Sequence, residues 1–188
     1  MLEPALDFVE AFRPRLEAIS PHFVADSRRT GGSMFRIHRD TRFAKDKTPY
    51  KTAVGMLFRH EQGKETAAPG FYLHLEPREC FAGGGIWHPE TAAANRIRRA
   101  IADNPDEWRS ATKDAGLSLG GESLKRAPKG FDPDHPLIED IKRKSFGASN
   151  RFDDADATSP TFVDTYAGLC TRAAPLIRFL CDALAQRF

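Results

Sequence analysis

Six cationic side chains crowd into residues 36–51: Arg36, Arg39, Arg42, Lys45, Lys47 and Lys51. Asp40 and Asp46 are the anions among them, so the span carries +4 on a chain whose net charge is +2. A guanidinium offers a planar fork of donors that matches a carboxylate or phosphate, and an ammonium adds a compact point charge. Together with His38, these residues form the candidate ligand-binding set. A local positive field on a near-neutral protein suits capture of a small anion better than a long nucleic-acid track. The same residues also fit a purely structural loop, with Asp40 and Asp46 paired to Arg39, Arg42 or Lys47 and Thr48-Pro49-Tyr50 closing the turn.

A second constellation follows from alternation. Residues 71–76 place Phe71, Leu73 and Leu75 on one side of a strand and Tyr72, His74 and Glu76 on the other. A carboxylate that orients an imidazole can do general acid–base work, which makes His74, Glu76 and Tyr72 the candidate catalytic residues. Pairing with a strand over Met34 to Ile37, with Phe35 and Ile37 inward, would bring Arg36 and His38 onto the same surface. The bland alternative is an ordinary solvent-facing side of an antiparallel sheet.

Other signals are weaker. Gly83-Gly84-Gly85 breaks a strand pattern, which is tolerable at a bulge or where a ligand or another backbone comes close. The run leads into a helix start but matches neither phosphate-loop nor dinucleotide spacing. The six histidines form no HxH, HxxxH or HExxH pair. A set of His38, His74, Glu76 and His88 has no support in spacing, so neither a metal nor a cofactor is predicted. No Gly-x-Ser-x-Gly elbow is present, and Cys80 reads as an inert strand thiol.

The elements that must position these groups are legible from periodicity. Apolar residues make up 40% and charged residues 29% of 188, with fourteen Phe, enough for one α+β domain with its own core. Residues 2–18 carry a helical stripe of Leu2, Ala5, Phe8, Val9, Phe12 and Leu16, which Pro14 should end or kink. Strands are predicted at Phe23-Val24, 52–59, 71–76 and 80–87. The short links between the later ones make an antiparallel meander. A helix follows Pro89, with Arg96, Arg98 and Arg99 on its outer face, and a second short one spans 106–115. Residues 117–125 form a strand or hairpin, 136–144 a short helix, and 151–159 an acidic loose segment. The longest helix starts at Ser159-Pro160 and is kinked at Pro175. The fold class is α+β: a central, mainly antiparallel sheet flanked by helices, with a long C-terminal helix. No apolar run reaches the ~20 residues of a membrane span, and Glu3 and Asp7 interrupt any leader pattern. The three cysteines suit no metal spacing, so a soluble cytoplasmic protein with reduced thiols is expected.

The run from Arg36 to Thr52 resembles the signature of an uncharacterised family, domain of unknown function 2461. Pro69 to Pro77, Phe81 to Trp87, Gly130-Phe131-Asp132, His135-Pro136 and Lys144-Ser145-Phe146 add to the resemblance. It implies membership without an activity. Family members usually carry an aromatic, Asn-rich segment before the first helix, so the chain is expected to lack that segment or to begin at an internal Met. The residues therefore point to a binding module or enzyme for a small anionic ligand, held by 36–51 beside the Tyr72, His74 and Glu76 face. The alternative is a non-catalytic nucleic-acid or protein interaction module, with Arg96, Arg98 and Arg99 extending the basic surface.

Overall fold

A computed structural model describes residues 2–38, 50–63, 67–114 and 117–188. In chain order the helices are α1 (Leu2–Ile19), α2 (Thr91–Asp103), α3 (Pro105–Arg109), α4 (Ile138–Ile141), α5 (Asp154–Ala157) and α6 (Phe162–Ala183). The strands are β1 (Phe23–Val24), β2 (Val54–His60), β3 (Gly70–Leu75), β4 (Cys80–Ile86), β5 (Ser118–Leu119) and β6 (Phe146–Phe152). They form one antiparallel sheet in the order β1-β2-β3-β4-β6-β5. The fold is thus α+β with a meander through β1 to β4. The meander is extended by β6, whose outer edge takes β5.

Antiparallel partners share a face, so the register fixes which residues meet. Phe58 pairs with Phe71, and Met56 with Leu73, on the helix-covered side. There α1 contributes Val9, Phe12 and Leu16, and α6 contributes Phe162, Tyr166, Cys170 and Ile177. A second cluster gathers Ile97, Ile101, Trp108, Ile141 and Phe146 against the Leu176, Phe179 and Leu180 side of α6. Helix α6 is therefore apolar on two sides and joins both clusters. Each fully buried large side chain contributes about 1.5–3 kcal/mol. Cys170 and Cys181 both lie in α6, and burial pushes each thiol up to about 12. Among the described residues, no helix is long and apolar enough to cross a membrane.

The glycine triplet has a packing cause. A Cβ on Gly83 would stand 2.0 Å from the Ala148 carbonyl oxygen, and one on Gly85 2.3 Å from the Phe146 carbonyl oxygen, both in β6. A Cβ on Gly84 would meet Ile177 of α6 at 2.8 Å. Alternate glycines admit the neighbouring backbone, and the middle one admits the helix.

Several expectations change. Pro14 does not end α1, which continues to Ile19. Pro14 is exposed while Phe12 and Leu16 are fully buried, so packing outweighs one lost ladder bond. Residues 34–37 form no strand; Met34 makes a single bridge to Met56. Strand β6 and helix α5 replace unassigned and loose chain. The Asp153 side chain and Asp156 form a capping box that starts α5. The short second helix becomes α3 followed by a π-helical turn over Ser110–Asp114. The Ser118–Leu119 strand pairs with β6 rather than closing a local hairpin. Helix α6 starts two residues late, because the Ser159 hydroxyl accepts from the Thr161 N–H at 3.2 Å and braces the preceding turn.

Arg98 is the sharpest correction. It is 7% exposed, not on the outer face. Its guanidinium donates to the Ile141 and Arg143 carbonyls at 2.9 and 3.0 Å and to Asn95 Oδ1 at 3.0 Å. It thereby ties α2 to the end of α4, with no carboxylate partner among the described residues. Burial holds its pKa below the usual arginine value.

The glycine contacts predict a paired result in urea unfolding. Gly83→Ala should cost at least about 2 kcal/mol, because neither backbone can retreat. Gly120→Ala, with nothing within 4 Å of its Cβ position, should stay within about 0.5 kcal/mol of the parent. Similar losses in the two variants would show that β4 and β6 can part without penalty.

Candidate functional site

The face of the sheet opposite the helices begins with β3. Alternation puts Tyr72 and His74 on that face, and Glu76 follows one residue beyond the strand end. The β2–β3 register pairs Gly55 with His74 and Val54 with Leu75, which brings Thr52, just before β2, alongside Glu76. The four side chains form one hydrogen-bonded chain. The Thr52 hydroxyl donates to Glu76 Oε1. His74 Nε2 lies 3.3 Å from Glu76 Oε2, and His74 Nδ1 lies 3.2 Å from the Tyr72 hydroxyl.

Valence fixes the direction of this chain. The Thr52 hydroxyl first, and His74 second, hold the Glu76 carboxyl below its ordinary value, so it is an acceptor. With a neutral imidazole, the tautomer that satisfies this acceptor carries its proton on Nε2 and donates to Glu76. That leaves Nδ1 as the acceptor of the Tyr72 O–H. Partial burial raises the Tyr72 pKa and keeps the phenol protonated. His74 is held flat as well as oriented. Phe81, its register partner on β4, stacks on it with centroids 4.6 Å apart and planes 13° from parallel. The imidazole and carboxylate keep 19% and 31% of their side-chain exposure, so the chain meets solvent along one side.

Gly55 provides the space beside it. A Cβ there would lie 2.9 Å from both the Tyr72 hydroxyl oxygen and Phe35 Cδ2. Its absence lets Phe35 approach Tyr72 with centroids 6.1 Å apart, and the Arg59 guanidinium lies 6.0 Å from the Phe35 ring. The surface thus runs Arg59, Phe35, Tyr72, His74, Glu76, with Phe81 beside the imidazole.

Of the sequence candidates, Tyr72, His74 and Glu76 come together. Arg36, His38 and Lys51 are exposed. They stand at the outer edge of β2, which separates them from β3. Phe35, expected to face the core, takes the place on the open face expected for Arg36, while Ile37 packs towards the core. His38 bridges to Tyr50, with ring centroids 5.1 Å apart, and the Lys51 N–H donates to the Ile37 carbonyl at 2.8 Å. The basic span therefore leaves and returns beside Thr52. Arg39, Arg42, Lys45 and Lys47 lie outside the described residues. Among the described residues, no group of three or more His, Cys, Asp or Glu could hold a metal ion. His88 sits elsewhere, against Trp87 and the Ser145 hydroxyl.

Sequence reasoning missed Thr52, Phe35, Phe81 and Arg59. The parity of β2 puts Gly55, Leu57 and Arg59 on one face, a signal visible in the sequence. Its match to the Tyr72 face needed the strand register.

A family model described as conserved hypothetical protein (DUF2461) matches residues 1–179. Comparisons with curated proteins and with solved structures gave no match. The chain belongs to the DUF2461 family.

A carboxyl held low when folded adds stability that is present above its unfolded value and lost as pH falls through its folded one. The melting temperature of the parent should therefore drop more between about pH 5 and pH 3 than that of Glu76→Gln. Thr52→Ala should show an intermediate drop. Parallel curves for all three would show that the chain exerts no hold on Glu76.

Proposed function

We propose that this DUF2461 protein binds, and through His74 moves a proton on, a small phosphate- or carboxylate-bearing ligand at the open face of its sheet. The observation that carries the reading is the Thr52–Glu76–His74–Tyr72 chain. A carboxylate fixes one imidazole nitrogen, and the other nitrogen faces a phenol at a ligand-accessible surface. That arrangement is costly to assemble for packing alone, since four polar groups must be ordered together.

The chemistry follows from the proton inventory. With His74 neutral, the Tyr72 hydrogen points at Nδ1, so the phenol oxygen presents lone pairs outward. An anion is repelled by that arrangement. When His74 takes up a proton, both ring nitrogens become donors, Glu76 steadies the imidazolium, and the Tyr72 hydrogen turns outward to the ligand. Arg59 supplies a charge on the same face, and the basic span rooted beside Thr52 supplies the attracting field. Arg36, Arg39, Arg42, Lys45, Lys47 and Lys51, with His38, remain the proposed anion-holding set. The alternative of a nucleic-acid surface along α2 loses one of its three cations, because Arg98 is buried.

Calorimetric titration with inorganic phosphate, nucleoside monophosphates and dicarboxylates, in two buffers of different ionisation enthalpy, tests the proposal. At least one anion should bind with proton uptake. His74→Gln should abolish the uptake, and Arg59→Ala should weaken binding about tenfold. Binding without proton uptake, or no binding of any anion at low salt, would sink it.

A further inference from the structure

On the far side of α2 from the sheet, a hollow of about 390 Å³ is lined by Arg99, Asp103, Phe131, Asp132 and His135 among others. Its outer wall is the segment 128–137, which contains the Gly130-Phe131-Asp132 and His135-Pro136 motifs and has no part in the sheet-face site. This wall has no regular secondary structure, yet its turns are pinned. The Phe131 N–H donates to the Pro128 carbonyl at 3.2 Å, and the His135 N–H to the Asp132 carbonyl at 3.2 Å. Gly130 adopts φ +90, a conformation that favours glycine.

Two contacts define what the wall offers. The Leu137 N–H donates to His135 Nδ1 at 3.0 Å, so the neutral ring carries its proton on Nε2 as a free donor. The Asp134 N–H donates to Asp132 Oδ1 at 2.9 Å, which fixes that carboxylate and leaves its second oxygen available. The α2 wall adds Arg99 and Asp103, one helical turn apart. Among the described residues, neither side chain has a hydrogen-bond or ionic partner.

We propose that this hollow is a binding site for a small zwitterion of the amino-acid type. A bare anion would meet two carboxylates, and a bare cation would meet a guanidinium. A molecule carrying both charges answers both: its carboxylate takes Arg99 and the His135 Nε2–H, and its ammonium takes Asp103 and Asp132. Phe131 supplies an apolar surface for a side chain. At about 390 Å³ the hollow lies at the small end of ligand-binding clefts.

An NMR titration of the full chain with the proteinogenic L-amino acids, with acetate and methylamine as half-ligands, tests the site. At least one amino acid should saturate with a Kd at or below about 1 mM and shift resonances at 99–103 and 130–137. Those shifts should spare Tyr72 and His74, which separates this site from the sheet-face reading. Acetate and methylamine should each bind about tenfold or more weakly, and Arg99→Gln and Asp103→Asn should each weaken the amino acid about tenfold. Both substitutions are at exposed positions, and unchanged melting temperatures would exclude unfolding as the cause. No saturable shift at about 10 mM, half-ligands as good as the zwitterion, or full affinity in both variants would overturn the assignment.

Discussion

The close approach of β4 to β6 is the constraint on which the rest of the structure depends. It requires that β4 carry no side chain at Gly83 and Gly85, where the β6 carbonyls of Ala148 and Phe146 come nearest. Once those backbones meet, β6 becomes the fifth strand and gives β5 an edge to join. Gly84, between them, faces the other way and lets Ile177 of α6 down onto the sheet. The two apolar clusters then share one helix. This single stretch of missing side chains sets both the width of the sheet and the depth at which its covering helix lies.

Much of this architecture is legible in the sequence, and the exceptions have physical causes. The helix periods of α1, α2 and α6 and the alternation of β3 survive because burial enforces them. Strand β6 escapes because Gly147-Ala148-Ser149-Asn150-Arg151 has no β-branched residue and gains its conformation from its neighbour. Arg98 escapes because solvation rules place a cation outside unless carbonyls are known to converge on it, and helix ends supply those carbonyls only after folding. At the site, Tyr72, His74 and Glu76 follow from period two alone. Thr52 and Arg59 require inter-strand register, which no local pattern encodes. Phe35 lies on the open face while Ile37 packs towards the core, because residues 34–37 touch β2 at one bridge and do not hold the strict alternation of a strand.

The open face also shows how a sheet makes a polar relay rigid. Its members come from the end of one strand and the approach to the next, so the backbone ladder fixes their spacing before any side-chain contact forms. The aromatic ring of Phe81 then removes the remaining rotational freedom of the imidazole. Buried or half-buried polar groups gain most from such pre-ordering, since each new contact pays little additional entropy.

Residues 38 and 50 are bridged and residues 37 and 51 share a backbone hydrogen bond, so the chain closes on itself at the root of the basic span. Because the Lys51 N–H is tied down and Thr52 lies one residue further on, this closure also sets where the hydroxyl that donates to Glu76 enters the sheet.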